Sequence, residues 1–216
     1  AVLAGRLKPE ERNGLLATMD KEVGDLVLKN NYEQTQILAA MLAQKTDIQG
    51  TYTRLLCELE REANLSREIE VLPTDKEIRT RLANGQGLIS SELSVLMAYA
   101  KSIVKVELGN SPLWKEPYFQ KKYLTAEFPA ELQKRFYDLM PKHRLARDIV
   151  ITQLTNTMMH RMGITFVHLL YDETGASTAM IARAFSVNYE VLELEKVWHE
   201  IDKLDGKVDA SVQSEM

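Results

Sequence analysis

The chain has 216 residues, a net charge of -4, a single cysteine and a hydrophobic fraction of 45%. These values are ordinary for a globular protein, and they exclude a disordered chain, an internal disulfide and a strongly basic nucleic-acid-binding domain. No segment approaches the roughly 18 uninterrupted apolar residues of a membrane span, and a lone cysteine is typical of a reducing compartment. We therefore expect a cytoplasmic protein with neither a membrane nor a nucleic acid as partner.

The first half of the chain has the apolar periodicity of helices. Pro9 and the two acidic residues after it have the composition of a helix start. A second helix is predicted over residues 20–29, ending at Asn30 and Asn31. Further along, Thr74 and Glu77 have the spacing of a capping box, which predicts a short helix behind them.

The clearest predicted helix begins near Ser90 and ends at Gly109. Its apolar residues recur at helical spacing and form one stripe: Leu93, Leu96, Met97, Ala100, Ile103 and Val104. The loop that follows holds two prolines. We expect a joint between two packed sub-bundles there, near residues 109–117.

The second half of the chain continues the helical pattern. One helix is predicted to start at Pro129, and Pro141 is predicted to open a long helix that Gly163 ends. Three more helices are predicted after Thr165, Ser177 and Leu194. No alternating apolar and polar run demands a strand, so the predicted fold is all-α, an irregular multi-helix bundle formed by residues 1–216 as a single module.

Three patterns resemble chemical sites but are better explained by structure. The segment Gly85-Gln86-Gly87 starts like a dinucleotide fingerprint, but it lacks the third glycine and the preceding strand, so we interpret it as a helix stop. Cys57 lies among leucines and is expected to be a small core residue. The four histidines lack the spacing of metal ligands: they are His143, His160, His168 and His199. The sequence therefore predicts no catalytic, cofactor-binding or metal-binding residue.

A cluster of basic residues is the best candidate for contact with another part of a protein. Its members are predicted to lie in the first turns of the helix opened by Pro141, where the helix dipole disfavours positive charge: Lys142, His143, Arg144 and Arg147. The cluster either meets an acidic partner surface or an anion, or it is a solvated face paired with Asp138 and Asp148. Trp114 is either a second docking residue or a core contact beneath its loop.

Several segments resemble the large, high-molecular-weight bacterial NAD-specific glutamate dehydrogenases. Glu92-Leu93-Ser94-Val95-Leu96-Met97-Ala98-Tyr99-Ala100-Lys101 resembles a signature of that family, and Asn31-Tyr32-Glu33-Gln34-Thr35-Gln36 resembles its Asn-Tyr-x-Gln-Thr-Gln block. Glu173-Thr174-Gly175-Ala176-Ser177 is also similar to a family segment. The resemblance extends over essentially the whole chain. One departure is Ile89-Ser90-Ser91, which stands where a Thr-x-Pro helix start is expected; Ser90 is expected to cap the helix instead.

The resemblance implies that the chain is the helical C-terminal region of a longer polypeptide. The whole enzyme would convert L-glutamate, NAD and water to 2-oxoglutarate, ammonia and NADH in glutamate catabolism. NAD would be the cofactor of that enzyme, with none expected in this chain, because the family's catalytic and nucleotide-binding residues precede it. The implied partners are the catalytic region of the same chain and other subunits of a homo-oligomer.

Three functions follow as hypotheses. The first is a non-catalytic module that acts in structural support, assembly or regulation of the enzyme, with the basic cluster and Trp114 as interdomain contacts. The second is an independent helical protein-binding module whose resemblance to the family is a coincidence of amphipathic helices. The third, ranked last because no phosphate cradle is visible, is direct binding of NAD or glutamate by this chain.

Overall fold

A computed structural model of the chain describes residues 7–43, 49–208 and 212. These residues contain helices and turns but no strand, which confirms the predicted all-α class. No helix in these ranges is both long and apolar enough to cross a bilayer. The sequence-based expectation of a chain that continues as a helix beyond residue 208 falls, apart from residue 212, outside the described residues.

The described helices follow one another with short connections. The α-helices are α1 (Pro9–Ala43), α2 (Gln49–Glu62), α3 (Asp75–Ala83), α4 (Ser90–Asn110), α5 (Pro117–Phe119), α6 (Ala130–Phe136), α7 (Ala146–Met162), α8 (Phe166–Thr174), α9 (Thr178–Val191) and α10 (Leu194–Asp202). A π-helical turn, Gln120–Leu124, continues α5. Three 3-10 turns lie at Leu113–Lys115, Thr125–Glu127 and Tyr137–Lys142.

The core is built around α4, which packs against α1, α2, α7 and α9. Leu96 on α4 and Leu154 on α7 are both completely inaccessible to solvent, as expected for apolar residues at helical spacing. The predicted stripe of α4 is buried, except that Ile103 is only partly buried. The long connection between α2 and α3 is held by Arg67, whose guanidinium bonds both Glu60 and Asp75.

Local signals at the ends of α3 are confirmed. The Glu77 N–H donates to Thr74 Oγ1 at 3.3 Å, and the Thr74 N–H donates to a Glu77 carboxylate oxygen at 2.8 Å. At the other end Gly85 has a φ of +71°, and the N–H groups of Gly85 and Gln86 bond the carbonyls of Leu82 and Arg81. This is the Schellman ending that glycine favours, so the glycine pair is a helix stop.

The predicted break at Asn30 and Asn31 is wrong, because α1 runs without interruption from Pro9 to Ala43. Asparagine inside a helix costs at most about 0.7 kcal/mol relative to alanine. The residues beyond the predicted break include Ile37 and Met41, which are buried in the core. Tertiary packing of this end therefore carries the helix through two weak helix formers.

The predicted start of the long helix at Pro141 is also wrong. Pro141 lies inside the 3-10 turn Tyr137–Lys142, and α7 begins only at Ala146. His143 has an extended backbone with a ψ of 135°, which prevents the two helical segments from joining. Only the downstream part of the predicted helix therefore forms one continuous α-helix.

Two residue-level predictions on α2 and α4 are corrected. Cys57 is exposed, because α2 turns Leu55, Leu56 and Leu59 toward the core and leaves position 57 on the outside. Ser90 is not the cap of α4, since the N-cap is Ile89 and its N–H donates to the Glu92 carboxylate at 2.8 Å.

Candidate functional site

A lysine and a histidine meet inside the core, on α4 and α7. Lys101 Nζ lies 2.6 Å from His160 Nε2, and the two residues are only 9% and 5% exposed. An ammonium can only donate, so Nε2 must accept and Nδ1 carries the imidazole proton. His160 Nδ1 lies 3.5 Å from Glu33 Oε2 on α1, which orders an ammonium, a neutral imidazole and a carboxylate across three helices.

The electrostatics of this row agree with that assignment. Burial, with a smaller effect of Lys105, lowers the pKa of Lys101 to about 8. Burial also lowers the pKa of His160, although Glu33 opposes the shift. Burial acts to raise the pKa of Glu33, but its hydrogen bond with His160 and nearby cations hold that pKa below its usual value. At neutral pH the imidazole is therefore uncharged between opposite charges.

The network continues from His160 to the last helix through Arg161. The Arg161 guanidinium lies 3.6 Å from Glu33 and 3.3 Å from Asp202 on α10. It also lies 5.4 Å from the centre of the Trp198 ring, within the range of a cation–π interaction. These contacts join α1, α7 and α10 at one place.

A second bond ties α1 to the segment after α10. The Tyr32 hydroxyl donates to Asp205 Oδ2 at 2.7 Å. This bond, followed by burial and the charge of the carboxylate, raises the pKa of Tyr32 to about 12. The C-terminal half of α1 is therefore held by polar contacts as well as by Ile37 and Met41.

The opposite side of α4 carries a histidine between two carboxylates. The His168 side chain is only 9% exposed; its Nδ1 contacts the Glu58 carboxylate, and its Nε2 lies 3.4 Å from Asp172 Oδ2. Neither contact has hydrogen-bond geometry, and within the described ranges no other group bonds these ring nitrogens or the buried Glu58 Oε2. The side chains are therefore close together but incompletely paired.

A groove of about 630 Å³ opens beside His168, between α2, α4 and α8. Its buried lining is aliphatic: Leu55, Leu59, Val104, Met159, Ile164 and Val167. Polar side chains line the rest, among them Glu58, Glu62 and Glu107. A smaller groove of about 310 Å³ shares Glu58, Arg61, His168 and Tyr171 with it. Across the described ranges, no group of three or more His, Cys, Asp or Glu residues is arranged to hold a metal ion.

The predicted contact residues are exposed, but they do not lie together in the first turns of one helix. Lys142 ends a 3-10 turn, His143 and Arg144 lie in the connection, and only Arg147 belongs to α7. Arg147 Nη2 donates to the carbonyl of Gly109 at 2.8 Å, at the end of α4. Trp114 is half-buried against the core, with the Lys115 ammonium 5.4 Å from its ring centre.

The middle of α1 covers no other part of the described chain. Every residue from 20 to 29 is exposed. The segment nevertheless carries four aliphatic side chains with exposed fractions between 37% and 68%: Val23, Leu26, Val27 and Leu28. We call this segment the α1 surface. Exposed apolar residues that adjoin on a surface mark places where another surface packs.

Sequence reasoning missed the buried row because its members are far apart in the chain. Lys101 and His160 are separated by 59 positions. One signal was available: Lys101 follows Met97 and Ala100 on the apolar stripe of α4, where a charged residue needs a partner. The spacing of His168 and Asp172, four apart on one helix, was a second.

Comparison with known proteins identifies the chain's relatives. The family described as "Glutamate dehydrogenase, C-terminal" matches residues 85–216. An NAD-specific glutamate dehydrogenase of Halomonas elongata is 42% identical over 216 residues, covering 100% of this chain and 13% of that enzyme. The enzyme of the same name from Pseudomonas aeruginosa is 41% identical over 212 residues, covering 98% of this chain and 13% of that enzyme.

A more distant relative carries the same name. The NAD-specific glutamate dehydrogenase of Mycobacterium tuberculosis is 32% identical over 200 residues, or 93% of this chain and 12% of that enzyme. The chain thus spans about 13% of the length of the relatives that it matches best here. The all-helical fold, the family match over more than half of the chain and these relatives agree: the chain belongs to the glutamate dehydrogenase C-terminal family.

Proposed function

We propose that this chain is a non-catalytic helical region of a cytoplasmic NAD-specific glutamate dehydrogenase, and that it braces the catalytic region of the same polypeptide. The whole enzyme, a homo-oligomer, would deaminate L-glutamate oxidatively to 2-oxoglutarate with NAD in glutamate catabolism. The α1 surface is the observation that carries the proposal. Its occupant is the catalytic region, since the relatives devote about 87% of their length to other parts (100% less the 13% that this chain spans).

The argument from the α1 surface begins with helix stability. An isolated helix shorter than about 12–15 residues is marginal in water, and residues 20–29 bury no side chain. They are held in line by the packed C-terminal half of α1. Leu16, Val23 and Val27 recur at steps of seven and four residues, which places them along one side of the helix. A straight helix with one apolar side is suited to pack on a neighbouring helix or sheet.

The basic turn formed by Lys142, His143 and Arg144 is a second contact in this proposal. All three side chains are exposed, and His143 packs edge-on against Phe128 with ring centres 5.9 Å apart. The half-buried Trp114 offers a further apolar contact. Arg147 is different, because its guanidinium is already bonded to Gly109 inside this chain.

The test compares the 216-residue chain with the full-length enzyme that carries it. Val23→Ser combined with Val27→Ser removes the aliphatic groups while helix propensity stays similar. We expect the melting temperature of the 216-residue chain to be unchanged, and the full-length enzyme to lose assembly or glutamate oxidation. Val106→Ser is the matched control, because Val106 is a 61% exposed valine on α4, and it should leave both proteins unaffected.

Two results would contradict this proposal. One is a full-length double variant that assembles and oxidises glutamate as the unaltered enzyme does. The other is an equal loss of stability in the 216-residue chain, which would make the two valines internal core residues. An independent binding module predicts a native protein of about this chain's own size. An antibody against the chain should instead detect, on a denaturing gel of source cells, a band many times larger than 24.6 kDa.

A further inference from the structure

The groove between α2, α4 and α8 has the dimensions of a small-molecule site. Its volume of about 630 Å³ lies within the range of roughly 300–1,000 Å³ that ligand pockets occupy. None of its lining residues belongs to the α1 surface or to the basic turn. Whatever occupies it is therefore separate from the interdomain contacts proposed above.

The charges of the lining favour a cation. Glu58, Glu62 and Glu107 face one arginine, Arg61. The Arg61 Nε lies 2.7 Å from Glu62 Oε1, and both side chains are more than half exposed, so these two charges largely cancel in solvent. Glu58 and Glu107 remain, with no further arginine or lysine in the lining.

The buried part of the lining lacks a hydrogen-bond donor. Glu58 Oε2 is inaccessible to solvent, and no donor within the described ranges bonds it with proper geometry. The adjacent His168 is more than nine-tenths buried, and its two ring nitrogens are equally unsatisfied. A buried carboxylate without a donor is unfavourable, whereas an ammonium supplies three N–H groups and the opposite charge.

The aliphatic part of the groove specifies the rest of the ligand. Val104, Met159 and Val167 are buried residues of three different helices, and all line it. They offer an apolar wall that a hydrated metal ion or free ammonia would leave unused. We propose that the groove binds an amphipathic primary amine, with its ammonium donating to Glu58 beside His168 and its apolar body on the aliphatic wall.

The first experiment compares three small probes of similar shape by isothermal titration calorimetry with the 216-residue chain. The probes are 2-phenylethylamine, 2-phenylethanol and 3-phenylpropionate, which are cationic, neutral and anionic at neutral pH. We expect saturable binding of the amine, at least about tenfold weaker binding of the alcohol because a charge-assisted hydrogen bond is lost, and no binding of the carboxylate. Absence of saturable amine binding, or equal binding of all three probes, would overturn the proposal.

The second experiment places the ammonium. Glu58→Gln keeps the shape of the side chain and removes its charge, and it should weaken amine binding at least about tenfold. Glu62→Gln is the matched control, because Glu62 lines the same groove but is paired with Arg61, and it should leave the affinity nearly unchanged. Equal losses in both variants would mean a general surface-charge effect and would contradict a site at Glu58.

A third variant tests the cavity without touching any carboxylate. Ala98 is an exposed lining residue of α4, so Ala98→Phe fills the groove from its mouth and should abolish amine binding. Circular dichroism confirms the helicity of each variant before titration. Amine binding that survives Ala98→Phe would show that the ligand sits elsewhere.

Discussion

Lys101 places an ammonium in the core, and its lowered pKa has a consequence for stability. The folded-state pKa is about 8, whereas an unfolded lysine titrates near 10.4. Between these two values the unfolded chain binds more protons than the folded chain, so the free energy of unfolding should rise with pH. Lys101→Met removes this group, so the stability of the unaltered chain relative to the variant should increase from pH 8 to pH 10.

Urea denaturation at several pH values measures this difference directly. Groups common to both proteins, including Lys105 on the same helix and Glu33 on α1, contribute equally and cancel in the comparison. Parallel pH profiles for the two proteins would contradict a perturbed lysine at position 101.

Leu154 is the reference for ordinary core packing at the residue scale. Its side chain is completely buried on α7, so Leu154→Ala should lower the free energy of unfolding by about 2–5 kcal/mol. Leu28→Ala on the α1 surface is the control, since Leu28 is 68% exposed and should change stability by at most about 0.5 kcal/mol. Similar costs in denaturant titrations would mean that the exposed leucine is packed in solution.

Single residues were predictable from the sequence where a local rule decides their place. Leu96 and Leu154 follow from helical periodicity, and the Thr74 cap follows from its spacing to Glu77. Cys57 was misjudged because residue type was weighed above its position on the helix. The pairing of Lys101 with His160 depends on how two helices pack, which periodicity in one chain does not encode.

At the scale of elements, two classes of glycine should respond with opposite sign to the same substitution. Gly163 ends α7 with φ +84° and ψ 166°, a region occupied essentially by glycine alone, so Gly163→Ala should cost about 1–3 kcal/mol. Gly24 lies within α1 with open space around it, and Gly24→Ala should stabilise by about 0.5–1 kcal/mol. Thermal melts of both variants check the pair, and a shared sign would refute it.

Helix ends were predicted well where glycine or a capping side chain marks them. Gly163 and the Ser177 cap of α9, whose hydroxyl accepts from the Met180 N–H, are examples. The errors fall at Asn30 and Pro141, where weak local signals compete with packing. Buried residues farther along α1 outweigh the asparagines, and the extended backbone at His143 separates Pro141 from α7.

For the whole molecule, the exposed segment of α1 predicts where a protease attacks first. Lys21 and Lys29 lie at the borders of the α1 surface, and Lys29 is 69% exposed. Backbone that packs against nothing opens most easily, so brief trypsin treatment of the 216-residue chain should cut at these lysines first. The full-length enzyme should be protected there if the catalytic region covers α1. Identical early cleavage in both proteins, seen by mass spectrometry, would argue that the segment stays uncovered.

The class of the fold was predictable, while its arrangement was not. Helical periodicity runs through almost the entire chain, which predicts an all-α bundle without further information. The sub-bundle joint near residues 109–117 stays a prediction. The groove beside His168 arises from side chains of five helices and two connections, so no local pattern could have located it.

The bond between Arg147 and Gly109 has a consequence for how the molecule opens. A Cβ at position 109 would lie 2.7 Å from Arg147 Nη2, so the bare glycine backbone is what lets the guanidinium reach the last turn of α4. The positive charge that opposes the dipole of α7 thereby complements the carbonyl end of α4. The two termini share one side chain and cannot fray independently. Their amide protons should exchange with solvent deuterium at a common rate, as a single cooperative unit.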